Sequence, residues 1–441
     1  MKRYKVAVGR YEKPFTSIRN VVELSGGNHL FKRGDRVFIK PNIVFWTTAV
    51  DFPKYGVVTT SRIIHDMIVF LKDAGVNDIT IIEGSVALDP KQTEAQSRHA
   101  YRTLGYPELV RRYGIRTMNV FERPFKTVQL GENAALKMNA DVFDSDWIVD
   151  IPVMKTHVQT RVSLGIKNLK GLIDLASRKK CHNADAKQDL HYYVARLADK
   201  LPPVFNLIDG IYTAEYGPNV DGRMHRSNML AASADLFSAD KVGSLLLGHQ
   251  PGDVPHLAQY GENHSRPLDL SDVEVVGEKI ADLARYHEPF FPWSEDPEMP
   301  AVWKAYGFQG LAYRKYDLTS CTYCAGITGN MLTAIMKAWR GVPWDDVELL
   351  TGKTMLADST KNHSILLGKC VCLANKGNVN ARHLIPVNSC PPKPEQIVRA
   401  FHEAGILVDP GIIQAVEKWP GTFMKRYLGN PDFEPDHFTV K

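Results

Sequence analysis

From about residue 36 to residue 245, short apolar runs alternate with amphipathic stretches of helical period. Residues 36–42, Arg36-Val37-Phe38-Ile39-Lys40-Pro41-Asn42, read as a strand closed by a proline, which cannot donate to a ladder. Residues 59–74 space Ile63, Ile64, Met67, Ile68, Phe70 and Leu71 as a helix, and Gly75 supplies the stop. Residues 78–85 form a second strand that runs into the small-residue turn Glu83-Gly84-Ser85. Together these make a strand–helix–strand unit. Further strands are predicted at residues 117–121, 147–154, 204–209 and 229–234, and the first eight residues also alternate. The pattern predicts an α/β fold with a mainly parallel sheet.

The C-terminal third repeats the pattern on a smaller scale. Strands are expected at 311–318, 347–351, 364–369 and 384–387, and helices at 330–339 and 392–401. Between the two lies a stretch, residues 265–300, rich in acids, proline and tryptophan. The expected organisation is an α/β anion- or substrate-binding domain at 1–260, a connection at 261–310, and a smaller cysteine-rich α/β domain at 311–441.

Five of the six cysteines fall in that last domain: Cys321, Cys324, Cys370, Cys372 and Cys390, with Cys181 apart. Residues 1–8 run straight into an alternation with no apolar leader, and no apolar run is long enough to span a bilayer. A reducing cytoplasmic setting is therefore expected, and there grouped cysteines read as metal ligands rather than disulfides. Cys321, Cys370 and Cys390 each follow an expected strand. In an open parallel sheet the carboxyl ends of the strands face one crevice, so distant cysteines can meet there. Thiolates select zinc or iron–sulfur centres. Structural zinc ribbons usually show two compact C-x-x-C pairs, and this chain has one pair, Cys321-Thr322-Tyr323-Cys324. Cys390 is followed by proline, as in ferredoxin-type runs. Cys390-Pro391-Pro392 also resembles the Gly-Cys-Pro-Pro string of the cluster-bearing small subunits of nickel–iron hydrogenases and respiratory NADH dehydrogenases, with Ser389 in place of the glycine. A 4Fe-4S cluster on Cys321, Cys324, Cys370 and Cys390 is the expectation, with zinc the alternative. Cys372, two residues along a strand from Cys370, would point the same way and could replace it.

In the N-terminal part the chemistry again falls at strand ends. Lys155-Thr156-His157 follows the run 148–154, and Ser163-Leu164-Gly165-Ile166-Lys167-Asn168-Leu169-Lys170-Gly171 comes shortly after. Lysines with glycine-opened backbone N–H groups suit a phosphate or carboxylate. A histidine beside a lysine tends to be neutral, which suits a proton donor or acceptor. Lys155 and His157 are the candidate catalytic residues. Lys40, Asn42, Glu83, Ser85, Lys167, Asn168, Lys170 and Asp209 are the candidate substrate-binding residues. His182 and His191 are weighed as metal partners of His157, and His191 reads better as a helix-surface residue. The bland alternative for Lys167 and Lys170 is a solvated helix face.

Net charge is +5, which favours anionic ligands. No basic run is interleaved with aromatics, so a nucleic-acid partner is not expected. Strings of the GxGxxG, Walker A and HExxH types are absent.

Lys40-Pro41-Asn42, residues 71–75 (Leu-Lys-Asp-Ala-Gly), Glu83-Gly84-Ser85, Lys155-Thr156-His157, residues 165–171 and Asp209-Gly210-Ile211 with Gly217-Pro218 together resemble the domain-of-unknown-function family 362. Cys321-Thr322-Tyr323-Cys324, Gly368-Lys369-Cys370 and Cys390-Pro391-Pro392 resemble the cluster-binding extension of some of its members. The resemblance implies an iron–sulfur protein in a cytosolic, anaerobic setting and supplies no reaction. The expected function is a redox enzyme acting on a small anionic substrate, with electrons arriving singly from a ferredoxin-like partner. The alternatives are a non-catalytic electron carrier or metallocentre-maturation factor, and a zinc-stabilised binding protein.

Overall fold

A computed structural model describes residues 3–51, 54–87, 90–295 and 298–440. Met1 and Lys2, the start of the expected N-terminal alternation, lie outside the described residues. Two compact units divide the chain. Residues 3–178, 191–290 and 423–440 make unit 1, and residues 179–190 and 291–422 make unit 2. The sequence reading placed 179–190 with the N-terminal domain and 423–440 with the cysteine domain. Each segment belongs instead to the other unit.

Unit 1 is built on a ten-stranded sheet. Its strands are β1 (Tyr4–Arg10), β2 (Arg36–Pro41), β3 (Asp78–Glu83), β4 (Arg116–Asn119), β5 (Trp147–Ile151), β6 (Val153–His157), β7 (Arg161–Ser163), β8 (Val204–Glu215), β9 (Arg223–Ser233) and β10 (Val273–Gly277). The order is β10-β1-β9-β8-β5-β2-β3-β4, with β6 paired to β8 and β7. Strands β8, β5, β2, β3 and β4 run parallel. Strand β9 is antiparallel to both β8 and β1. The α/β class with a mainly parallel sheet is thus the observed one. The expected strand at 147–154 is two strands, because Pro152 interrupts the ladder between β5 and β6. Strand β8 runs on to Glu215, past the expected stop at Asp209-Gly210, and a register shift between Gly210 and Tyr212 absorbs the glycine.

The helix Ser61–Asp73 follows β2, as its apolar spacing predicts. Thr60 caps it by accepting from the Ile63 N–H, and Ile63, Ile64, Met67, Ile68, Phe70 and Leu71 are all buried. They join Val37, Ile39, Ile79 and Ile81 in one core. The segment 423–440 packs there as well, with Phe433 and Phe438 edge-on to Tyr55.

Unit 2 carries a four-stranded sheet in the order β11-β12-β13-β14, parallel throughout. The strands are β11 (Leu311–Tyr313), β12 (Val347–Leu350), β13 (His363–Leu367) and β14 (Leu384–Val387). Helices Thr328–Ala338 and Pro394–Glu403 bury Ile335, Ile397 and Phe401 against Leu349, Ile365 and Val387.

Gly310 enters β11 at φ +73°, where a Cβ would run into the Trp344 carbonyl. Gly310→Ala therefore combines a left-handed penalty of roughly 1–2 kcal/mol with an overpacking penalty of about 1–3 kcal/mol. The expected outcome is a lowered melting temperature. Limited proteolysis should show cuts within 291–422 and leave 3–178 intact.

Candidate functional site

In unit 1 parallel pairing brings Lys40 beside Asp150 on adjacent strands, and Asp150 beside Asn206. All three are buried. The Lys40 ammonium donates to Glu83 Oε2 at 2.9 Å, to the Pro41 carbonyl at 2.7 Å and to Asn168 Oδ1 at 3.4 Å. Glu83 also accepts from the Ile43 and Gly84 N–H groups. This pair is therefore saturated from both sides, the arrangement a buried ion pair requires. Gly171 closes over it: a Cβ there would sit 2.6 Å from the Lys40 Nζ and 2.8 Å from Glu83 Oε1.

Asn168 links the pair to the rest. Its side-chain N–H donates to Asp150 Oδ1 at 2.8 Å, and its oxygen accepts from Asn42 at 2.9 Å. The oxygen of Asn42 accepts from the Lys155 ammonium at 2.7 Å, and Lys155 also donates to the Val57 carbonyl at 2.7 Å. Thr59 accepts from the Asn42 N–H and donates to the Ile151 carbonyl, while the Thr60 N–H donates to Asp209. So Lys40, Asn42, Glu83, Lys155 and Asn168, drawn from four separate stretches of sequence, form one buried network. Asp209 joins it only through Thr60 and its neighbour Thr59. Ser85 is buried nearby in the chain and pairs with Ser97 at 3.1 Å.

Burial sets the protonation of these groups. Lys155 has no carboxylate in its hydrogen bonds, and desolvation pushes it down to about 7, against the pull of Glu83. Desolvation raises Asp209 to about 6 and holds Asp150 well above the ordinary carboxyl range, although Lys40 and the Asn168 bond oppose it. A buried lysine that titrates near neutrality is a competent acid or base, and Asp150 reaches it only through Asn168 and Asn42. Asp150 was not among the sequence candidates. The signal was present, since an acid inside the apolar run Ile148-Val149-Asp150-Ile151 is a buried polar group in need of a reason.

His157 ends β6, partly exposed, and its Nδ1 accepts from the Gln159 N–H at 3.1 Å. Lys167 and Lys170 are partly exposed, and Lys167 is held well below the ordinary lysine range by desolvation, by Lys170 and by Lys155. His191, read from sequence as a helix-surface residue, is buried with its ring stacked on His256. His182 belongs to unit 2, where its Nδ1 meets the Leu318 carbonyl at 2.7 Å.

In unit 2, Cys321 precedes the short helix Thr322–Ala325, and Cys370 lies in the helix Lys369–Ala374 directly after β13. Cys390 follows β14 and is joined to Pro391 by a cis peptide bond. The strands are parallel, so the residues that follow β13 and β14 leave from one edge. There the Lys369 N–H donates to the Ser389 carbonyl at 3.1 Å. The Cys321 and Cys324 thiols are in hydrogen-bond contact, which with burial pushes Cys324 well above the ordinary thiol range. Cys370 interacts electrostatically with Cys321 and Cys390. Gly368, at φ +108°, leaves space beside Cys324: a Cβ would stand 3.1 Å from its sulfur. The Lys179 ammonium lies 3.7 Å from the Cys390 sulfur and 4.8 Å from the centre of the Tyr323 ring. Among the described residues, no three His, Cys, Asp or Glu side chains converge closely enough to hold a single metal ion.

Cys372 does not point the same way as Cys370. Cys370 and Cys372 share a helix, not a strand, because Gly368 ends β13 and turns the chain. Two positions along a helix face nearly opposite directions. The Cys372 sulfur instead meets the Leu366 carbonyl at 3.6 Å and packs beside Leu350, Ala357, Leu366 and Val371.

Lys155→Met leaves the Asn42 and Val57 oxygens without their donor and should cost about 1–3 kcal/mol. It also has a pH signature. The folded chain releases the Lys155 proton near 7 and the unfolded chain near the ordinary lysine value of roughly 10.4. Between those values the unfolded state holds the extra proton, so wild-type stability gains from rising pH across that window. Urea unfolding from neutrality to about pH 9 should show this rise in the wild type relative to Lys155→Met, and parallel curves would contradict it.

Residues 37–244 match the model of a family described as a domain of unknown function (DUF362). A thylakoid-associated protein of Synechocystis is 24% identical over 246 residues, a match that spans 55% of this chain and 72% of that protein. Two solved structures are similar at a TM-score of 0.34. One is a protein from Thermotoga maritima, 14% identical, with 77% of this chain and 71% of that chain covered. The other is the lactate racemase apoprotein from Thermoanaerobacterium thermosaccharolyticum, 12% identical, with 100% and 94% covered. No helix among the described residues is long and apolar enough to cross a membrane.

Proposed function

We propose that the chain is an iron–sulfur redox enzyme of the DUF362 family. In this reading unit 2 holds a 4Fe-4S cluster on Cys321, Cys324, Cys370 and Cys390, and unit 1 holds a small anionic substrate. The observation that carries the reading is the thiol edge of unit 2. Four cysteines from three chain segments follow strands of one parallel sheet, and their thiols act on one another. The donor set is all sulfur, which suits iron–sulfur and zinc alike. A cubane separates its four thiolates further than a single ion does, so a spread set of thiols accommodates it. The glycine gap at Gly368 and the Lys179 ammonium beside Cys390 favour an anionic assembly of thiolates. Such a cluster, when bound, supplies electrons one at a time.

The residues of unit 1 then have separable tasks. Lys167 and Lys170, with Lys155 behind them, attract the anionic group. Lys155 accepts or delivers a proton near neutral pH, and His157 does so at the partly exposed end of β6. Asp150 stays protonated and holds Asn168, which orients Asn42 and so the Lys155 ammonium. Lys40 and Glu83 neutralise each other and fix the ends of β2 and β3.

A second reading, a non-catalytic electron carrier, draws on one observation: Cys370 and Cys390 are exposed. A carrier needs its cluster near the surface to meet a ferredoxin-like partner, and it has no use for a buried lysine that titrates near 7.

Single-cysteine variants prepared without oxygen test the ligand set. Cys390→Ala should lose iron and make residues after about 300 protease-sensitive, because metal binding and folding are coupled within a site. Cys181→Ala, buried in unit 2, should keep its iron, as should Cys372→Ala. Loss of iron from Cys181→Ala with retention in Cys390→Ala would overturn the assignment. Reductive turnover that persists unchanged in Lys155→Met and His157→Ala would favour the carrier.

A further inference from the structure

His256 is the second residue of the helix Pro255–His264 and is fully buried. Neither of its ring nitrogens has a hydrogen-bond partner among the described residues. A buried imidazole left unsatisfied at both nitrogens is costly, and native folds rarely leave it so. Its ring lies parallel to that of buried His191, 4° between planes and 6.3 Å between centres. Burial, His191 and the charge of Lys167 all hold His256 well on the neutral side. Lys167 is itself unusual, since it makes no hydrogen bond or ion pair to a described residue. The charges that act on it are those of two other lysines, Lys170 and Lys155. With two lysines as its charged neighbours and no carboxylate bonded to it, Lys167 is a poor host for a metal cation, and a bound anion would favour its ammonium form. A neutral imidazole offers one N–H donor for such an anion and one acceptor for a proton on it.

We infer that Lys167 and His256 are two walls of an oxyanion-binding site in unit 1, with the ammonium and an imidazole N–H donating to the same carboxylate or phosphate group. The inference rests on the reading that unit 1 holds a small anion and adds His256, which that reading does not include. Lys170 supplies further positive charge, and His191 holds the His256 ring in orientation. The sequence gives no hint of His256: it lies far along the chain from Lys167, in the plain string Val254-Pro255-His256-Leu257.

The test titrates the full-length protein with inorganic phosphate and, separately, with sodium acetate, at constant ionic strength set by chloride. Binding is followed by calorimetry and by the histidine-ring NMR signals. The wild type should bind at least one of the two saturably, and the anion that binds tells a phosphate site from a carboxylate site. Lys167→Met keeps the apolar stem at a partly exposed position and should weaken that binding by roughly tenfold or more, the loss expected for one charge-assisted hydrogen bond. His256→Gln should weaken it similarly, and the ring signal missing from that variant should be one that shifts in the wild type. If His256→Gln does not fold, Lys167→Met decides alone. Wild-type binding that Lys167→Met leaves unchanged would overturn the inference and leave an anion bound elsewhere. Failure of both probes to bind the wild type overturns the inference together with the anionic-substrate reading. Iron content, scored on the same samples, reports separately on the cluster.

Discussion

Parallel pairing is the constraint on which both candidate sites depend. When strands run the same way, every chain leaves the sheet at the same edge, and whatever side chains follow the strands are gathered there. In unit 1 this places Lys40, Glu83, Asp150 and the start of β6 together, although they span more than a hundred residues of sequence. In unit 2 it sends the segments after β13 and β14 out side by side, with Cys370 and Cys390 on them. Neither grouping could arise within one loop. The backbone of each sheet is therefore as much a part of its site as the polar groups are.

The polar groups at the two edges have opposite characters. In unit 1 the network's lysines and amides are paired: Lys40 has Glu83, Asn168 has both Asn42 and Asp150, and Lys155 has two neutral oxygens. That pairing fixes the strand ends and leaves protonation as the remaining freedom, with burial pushing Lys155 down to about 7 and Asp150 up from the ordinary carboxyl range. The thiols of unit 2 are satisfied far less, with long sulfur contacts to backbone carbonyls and to one ammonium. A thiol so placed has most to gain from a metal, which exchanges a weak contact and a proton for a coordinate bond.

Much of this was legible in the sequence. The strand at Leu384–Val387 shows as a short apolar run between polar flanks, and the helix Ser61–Asp73 shows in its apolar spacing and its glycine stop. The network residues Lys40, Asn42, Glu83, Lys155 and Asn168 could be named because each sits where a strand pattern gives way to polar or small residues. What stayed hidden has physical reasons. Pro152 and Gly210 are both breakers, yet one divides a strand and the other is absorbed by a bulge, and only neighbouring strands decide which. Gly368 turns the chain with a positive φ, so Cys372 moves from an expected strand face to the far side of a helix. The exchange of residues 179–190 and 423–440 between units rests on long-range packing, as with Phe433 and Phe438 against Tyr55, which no local pattern announces. His256 is invisible for the same reason, since its burial comes from elements distant in sequence.

The central claim is that the thiol edge of unit 2 holds a four-iron cluster. Mössbauer spectroscopy of the wild-type protein, made with isotopically enriched iron and purified without oxygen, tests it most directly when iron and acid-labile sulfide are quantified on the same sample. About four irons and about four sulfides per chain are expected, with the spectrum of a cubane that changes as a unit on one-electron reduction. A single zinc per chain, no labile sulfide and no iron spectrum would contradict it.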